Sequence, residues 1–264
     1  MKIEDLFSVK GKIALVTGSS RGIGRGVALA LAAEGCDVML TGRDEKALDE
    51  VAAAIRKQGR RAAVAAIDLR GKDAPAKLIE QVKRELGGLD ILVNNAGATK
   101  RGDFLDLTDA DWEDGYALKF FAHVRLTRAA WPLLKERRGS IVAIGGTGGR
   151  KPTEEFTIGS SVNAAVAAFS KCMADRGKHD GVQVNCIHPS MVETDRLWRR
   201  IKAEMERTGW PEQKAREEMC KGFGITRFGK VEDVADMITF LVSSRATWMH
   251  GATVDLDGGE IPTL

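Results

Sequence analysis

Tyrosine is nearly absent. The only one in 264 residues is Tyr116, so chemistry that needs a phenol has a single candidate position. Aromatic residues reach only 6%. The four cysteines, Cys36, Cys172, Cys186 and Cys220, are scattered, with no CxxC and no Cys/His ligand spacing. That excludes a disulfide framework and a sequence-encoded metal site, and points to reduced thiols in a cytoplasmic protein. No apolar run approaches the about 20 residues that span a bilayer, and Met1–Asp5 lacks the apolar core of a secretory leader. A net charge of +3 is too small to imply a nucleic-acid partner. Linkers, repeats and low-complexity stretches are also missing, which favours one domain over residues 1–264.

The chain does hold a glycine-rich stretch, Thr17-Gly18-Ser19-Ser20-Arg21-Gly22-Ile23-Gly24. The apolar run Ile13-Ala14-Leu15-Val16 leads into it and a helical pattern from Ile23 to Glu34 leads out. A glycine turn between a buried strand and a helix is a phosphate cradle. Gly18 can adopt backbone angles that other residues avoid, and Gly22 and Gly24 let backbone approach ligand and sheet. The helix start offers free N–H groups to a pyrophosphate.

Strand and helix patterns then alternate. Strands are expected at Val38–Thr41, Ala63–Ile67, Leu89–Val93, Ser140–Ile144, Val182–Ile187 and Thr253–Leu256. Helices are expected after Asp44, at Ala74–Leu86, from Thr108 to Lys135, at Phe156–Asp175, over 195–220 and at Val231–Leu241. Such alternation predicts an α/β protein: a doubly wound parallel sheet, Rossmann-like, with helices on both faces. Ligands bind beyond the carboxyl ends of the strands where strand order reverses. The glycine turn, Asn94–Gly97, Gly145–Gly149 and Pro189–Thr194 fall at such ends.

Several of these segments, spread over nearly the whole chain, resemble the short-chain dehydrogenase/reductase family. They are the T-G-x-x-x-G-x-G turn, Asp68-Leu69, Asn94-Asn95-Ala96-Gly97, Pro189 with Thr194, Arg227-Phe228-Gly229 and Asp257-Gly258-Gly259. The resemblance implies a nicotinamide cofactor held by Gly18, Ser20, Arg21, Gly22, Ile23, Gly24, Asp68, Leu69, Asn95, Ala96, Gly97, Pro189, Val192 and Thr194. Where an acidic residue would select NAD(H), the end of the second strand reads Gly42-Arg43. Two guanidinium groups, Arg21 and Arg43, favour the 2′-phosphate of NADP(H), with NAD(H) still possible.

The catalytic Asn-Ser-Tyr-Lys set of the family is where the chain departs. Aligning Asn163-Ala164-Ala165-Val166 with the family helix puts Asn163 at the Lys position and Gly159 at the Tyr position. Gly146 falls at the Ser position and Lys119 at the Asn position. Lys119 and Asn163 thus look exchanged, one ammonium and one amide sharing a small volume, with Lys119 taking the cationic role beside the nicotinamide ribose and Asn163 bonding a ribose hydroxyl. Thr147, beside Gly146, would orient a carbonyl. The proton donor is open among Lys119, Tyr116, Ser160, Ser161 and His188; His123, His179 and His250 read as structural or surface residues. Residues 195–225 fall where the family carries a substrate lid. Here that segment bears Trp198, Trp210, Arg196, Arg199, Arg200 and Lys202, suited to an amphipathic or anionic small molecule or simply to solvent.

Two functions stay open: an NADP(H)-dependent oxidoreductase acting on a carbonyl or alcohol through an altered acid site, and an NADP(H)-binding pseudoenzyme acting as sensor or assembly partner. The resemblance also implies a homotetramer or homodimer built through the helices at 108–135 and 156–175.

Overall fold

The computed structural model describes residues 9–262. The stretch Met1–Asp5 lies outside the described residues. Seven parallel strands form one sheet in the order β3-β2-β1-β4-β5-β6-β7. They are β1 (Ile13–Thr17), β2 (Asp37–Gly42), β3 (Ala62–Ala66), β4 (Ile91–Asn94), β5 (Ser140–Ile144), β6 (Gln183–Pro189) and β7 (Thr253–Leu256). Every residue of β1, β4 and β5 is buried. A parallel sheet covered on both faces demands such runs, because neither side of the strand meets water.

One face is packed by α1 (Gly22–Ala33), α2 (Glu45–Lys57) and α9 (Val231–Val242), which bring Val27, Leu31, Leu48, Val51, Ile55 and Ile238 onto the sheet. The other is packed by α3 (Ala74–Leu86), α5 (Ala122–Arg137) and α6 (Thr157–Asp180), through Leu78, Val82, Leu126, Leu134 and Ala174. Asp44 caps α2 by accepting from the Ala47 N–H at 3.1 Å, and Pro75 sits in the first turn of α3. Strand order reverses between β1 and β4, so a crevice opens above their carboxyl ends.

The structure departs from the sequence expectations in three helices. The helix expected from Thr108 to Lys135 is capped by Thr108 but broken into α4 (Asp109–Tyr116), a π turn (Ala117–Phe121) and α5. In the π turn the Ala122 N–H reaches back to the Ala117 carbonyl, inserting one residue into the ladder. The helix expected to end at Asp175 runs to Asp180, where Gly181 stops it in the left-handed conformation at φ +73°. The stretch 195–220 is two helices, α7 (Asp195–Thr208) and α8 (Glu212–Phe223). Gly209, left-handed at φ +70°, ends the first, and Pro211 precedes the second. Their inner faces share an apolar cluster of Leu197, Ile201, Ala215, Ile225 and Phe228.

Candidate active site

The glycine turn is latched to the end of β4. Thr17 Oγ1 accepts from the N–H groups of Asn95 and Ala96, both at 2.8 Å. Asn95 Nδ2 donates to the carbonyls of Thr17 (2.7 Å) and Gly18 (3.2 Å). Gly18 has φ +65° and Gly22 φ +55°. At Gly24 a side chain would collide with the Gly18 carbonyl and the Asn95 amide. The start of α1 has no side-chain cap and no acidic residue in its first turn, so its N–H groups and dipole are left for an anion. These features fit a bound dinucleotide pyrophosphate.

Ser19 ties the turn to β2: its N–H donates to the Thr41 carbonyl at 3.1 Å and its Oγ accepts from the Thr41 N–H at 3.0 Å. The Ser20 hydroxyl therefore lies beside Gly42, 3.5 Å from where a Cβ would stand. Arg21 and Arg43 are both exposed, and among the described residues neither forms an ion pair. Leu69 is buried, whereas Asp68 binds Arg70, which bridges on to Asp114 at 2.5 Å. The strap after β6 is pinned by Gly229, whose N–H donates to the Met191 carbonyl at 2.8 Å and whose carbonyl accepts from the Glu193 N–H at 2.8 Å. This places Val192 in the interior and the Thr194 methyl against Gly22.

Lys119 lies in the π turn. Its stem crosses Gly97, where a Cβ would be 2.8 Å from the Lys119 Cγ, and its Nζ donates to the Gly145 carbonyl at 3.1 Å. Burial pulls its pKa from 10.5 down to about 8, and the Arg196 guanidinium adds to the fall. The Cys186 thiol nearby is pushed up to about 12 by burial and stays neutral, so it supplies no counter-charge at neutral pH. Asn163, 2% exposed, sets its amide against Gly146, where a Cβ would lie 2.9 Å from Nδ2. Lys119 and Asn163 thus meet consecutive residues of the turn after β5. Thr147 is buried at the start of the next turn. Asn163 Oδ1 and Ser160 Oγ are buried without a hydrogen-bond partner, whereas Ser161 Oγ is used up on the Ile158 carbonyl at 2.9 Å.

Tyr116 does not pair with Lys119. It stacks on Trp112, with ring centroids 6.4 Å apart, and meets Phe120 edge-on at 6.1 Å. The inserted residue of the π turn sends Lys119 toward the sheet while Tyr116 joins the apolar contact with α6. His123 Nε2 donates to the Ala96 carbonyl, 3.2 Å away, and burial drives its pKa down to about 4. His250 clips α6 to β6, through the Ala174 carbonyl at 2.5 Å and the Val184 N–H at 3.3 Å. His179 is exposed.

Four contacts were not legible beforehand. Phe156 lays its ring over Gly159 and against Gly148, filling the space a side chain at either position would need. The Arg101 guanidinium lies over that ring at 3.8 Å. Arg196 donates to the Gly97 carbonyl at 3.1 Å. His188 packs on Gly145 with its Nδ1 3.3 Å from Asp255 Oδ1, out of hydrogen-bond alignment, and Asp255 in turn pairs with Arg150 at 3.0 Å. Burial lowers the His188 pKa and Asp255 opposes the fall. The pair of glycines at 148 and 159 was the one available signal for Phe156. A cavity of about 890 Å³ lies behind the strap, between Ile225–Lys230 and α9; it shares Ser190, Met191 and Val192 with the crevice but includes neither Lys119 nor Asn163.

The short chain dehydrogenase family model matches residues 12–205. The chain belongs to the short-chain dehydrogenase/reductase family. Gluconate 5-dehydrogenase of Gluconobacter oxydans is 32% identical over 98% of both chains. L-sorbose reductase of Gluconobacter frateurii, solved with NADPH and L-sorbose, superposes with a TM-score of 0.94 at 32% identity, covering 98% of this chain and 100% of that one. The 3-oxoacyl (acyl-carrier-protein) reductase of Agrobacterium tumefaciens C58, solved with NADP, gives 0.89 at 31% identity, covering 98% and 97%. These relatives are oxidoreductases, two of them solved with NADPH or NADP, and the family to which the chain belongs binds NAD(P). Among the described residues no helix is long and apolar enough to cross a membrane.

Proposed function

We propose that this protein is an NADP(H)-dependent oxidoreductase that interconverts a carbonyl and an alcohol on a small molecule through an altered acid site. Gly18, Ser20, Gly22, Ile23 and Gly24 would hold the pyrophosphate end, with Asn95, Ala96, Gly97, Pro189, Val192 and Thr194 lining the rest of the crevice. Arg21, at the N-cap of α1, and Arg43, directly after β2, would take a 2′-phosphate, since among the described residues neither forms an ion pair and β2 ends in Gly42 rather than in an acid. When bound, the nicotinamide accepts or supplies the hydride.

The acid site is read as rebuilt. Gly146, Gly159 and Asn163 stand at the Ser, Tyr and Lys positions of the family set, and Lys119 at the Asn position. The observation that carries the reading is Lys119: an enclosed ammonium at the crevice floor, with a pKa near 8 and no carboxylate beside it. Such a group is a competent proton donor at neutral pH. In reduction it would protonate the substrate oxygen as the carbonyl becomes an alkoxide, then regain a proton from water. Asn163, through its unpartnered Oδ1, would bind a ribose hydroxyl, and Thr147 would orient the carbonyl. The helices α7 and α8 would form the lid. Self-association through α5 and α6 into a dimer or tetramer is the expected assembly.

The test is NADPH binding followed by NADPH oxidation across a carbonyl panel between pH 6 and 10. Turnover that falls as pH rises through about 8, and is lost with weakened NADPH binding in Lys119→Met, supports the reading. The glycine at 159 favours a second reading, a cofactor-holding protein without redox chemistry. Tight NADPH binding with no oxidation across the panel would select it.

A further inference from the structure

Most basic side chains of the lid fall into two groups; Lys214 instead lies over the Trp210 ring at 4.8 Å. Those on the outer faces of α7 and α8 are neutralised within their own helix: Arg207 by Glu204 at 2.6 Å, Arg216 by Glu212 at 2.7 Å and Lys221 by Glu218 at 2.7 Å. Arg196, Arg199 and Arg200, in the first two turns of α7, have no such partner among the described residues. This is the end of a helix where the backbone dipole disfavours cations, and only Asp195 opposes them in the first turn.

Arg196 is aimed at the crevice. It donates to the carbonyl of Gly97, the residue whose Cα lies under the Lys119 stem, so a guanidinium and an ammonium flank one glycine. Arg101 lies with its flat face on Phe156, and among the described residues it forms no ion pair with a carboxylate. The nearest opposing charges, Glu155 and Glu260, act on Arg101 and Arg200 from a distance, and Glu260 is already taken by Ser190 and Lys151. Cations brought together at a partly desolvated site without a counter-ion are destabilising. Asn163 Oδ1 and Ser160 Oγ, packed against the turn after β5, are buried without a hydrogen-bond partner.

Resting on the oxidoreductase reading above, we propose that the substrate is an acid: its carboxylate is held by Arg196 and Arg101 at the mouth of the crevice, while its carbonyl or hydroxyl points down to Lys119. A planar guanidinium matches a carboxylate in two parallel hydrogen bonds, and a second one stacked on an aromatic ring is held ready in orientation. A neutral polyol or ketone would leave both cations unpaired.

The test needs no turnover. The NADP⁺-loaded protein is titrated by calorimetry with three acid and amide pairs of the same shape: gluconate and gluconamide, 3-hydroxybutyrate and its amide, benzoate and benzamide. The expected result is at least one acid bound about tenfold or more tighter than its amide. Arg196→Gln and Arg101→Gln should each remove most of that preference, Arg196→Lys should keep part of it, and NADP⁺ affinity should change less than twofold in all three. Arg101 and Arg196 are surface residues, and circular dichroism checks that each variant is folded. Acid and amide binding alike, or no acid binding at all, overturns the inference. So does a tenfold loss of NADP⁺ affinity in Arg196→Gln, which would assign the anion to the cofactor pyrophosphate. If NADP⁺ itself fails to bind, the cofactor reading fails separately, and the same pairs titrated against the cofactor-free protein still decide the question of charge.

Discussion

Replacing Lys119 by methionine should stabilise the cofactor-free protein at neutral pH, and by an amount that depends on pH in a way few other changes would mimic. The fall in the Lys119 pKa from 10.5 to about 8 corresponds to about 3 kcal/mol of preference for the solvated ammonium over the enclosed one. Part of the residue remains exposed, so about 2 kcal/mol is the working figure. The sign follows from proton counting. Between about 8 and 10.5 the unfolded chain holds a proton that the folded chain has released, so wild-type stability rises with pH across that window. Below 8 both states are charged, and the full penalty applies. Methionine keeps the stem packed over Gly97 and removes the charge, at the loss of the bond to the Gly145 carbonyl. Chemical denaturation at pH 7 should therefore find Lys119→Met more stable by about 1–3 kcal/mol, or ~2–4 °C in Tm for each kcal/mol. The gap should close by about pH 10.5, because titrations common to both proteins cancel in the difference. A difference that stays constant with pH, or a variant less stable at pH 7, would show that the ammonium is solvated and that it is no acid of unusual strength.

Other outcomes follow from particular contacts. Gly24→Ala drives a methyl into the Gly18 carbonyl and the Asn95 amide; it should cost about 1–3 kcal/mol in stability and lower NADPH affinity by more than about tenfold, both measurable by titration and thermal melts. Arg43→Asp should weaken NADPH by about 10–100-fold, the worth of a charge-assisted bond to phosphate, and leave NADH binding equal or improved. Below about pH 6.5 the buried His123, with a pKa near 4, resists a proton that the unfolded chain takes up. Stability should then fall by up to about 3 kcal/mol from pH 6.5 to 4, and His123→Gln should flatten that slope in denaturation curves.

The sheet was legible because its central strands β1, β4 and β5 are buried, nearly continuous apolar runs. Ser140–Ile144, Thr253–Leu256 and the helix Ala74–Leu86 have the ends the sequence predicts. The cofactor turn was legible for a related reason: its function is carried by backbone, and backbone needs leave glycines at fixed spacing. The π turn at Ala117–Phe121 was not, since an inserted residue leaves the apolar spacing of Trp112, Tyr116 and Phe120 looking like an ordinary i, i+4 stripe. The break at Gly209–Pro211 was in view, but the strong charge patterning on both sides reads as one amphipathic helix. Arg101 and Arg196 were invisible as a pair because they lie 95 positions apart and come within electrostatic range only when α7 packs beside the loop after β4.

On the proposal that Gly159 stands at the Tyr position of the family set, Phe156 bears most directly on whether the acid site decayed or was rebuilt. A lost tyrosine would leave a hole over Gly159, and a hole lined by buried groups costs stability in proportion to its volume. Instead the Phe156 ring occupies that space, wedged between Gly148 and Gly159, with Arg101 stacked on its outer face. Any side chain at 159 meets the ring, so Gly159→Tyr alone should destabilise by about 1–3 kcal/mol and restore no phenol to the crevice. Pairing Gly159→Tyr with Phe156→Ala empties the space and should relieve most of that cost, a non-additivity of about 1 kcal/mol or more for residues in contact. Double-mutant cycles by denaturation measure it without any substrate. If the two changes prove additive, the ring is not what fills the place above Gly159, and the case for a rebuilt site is lost with it.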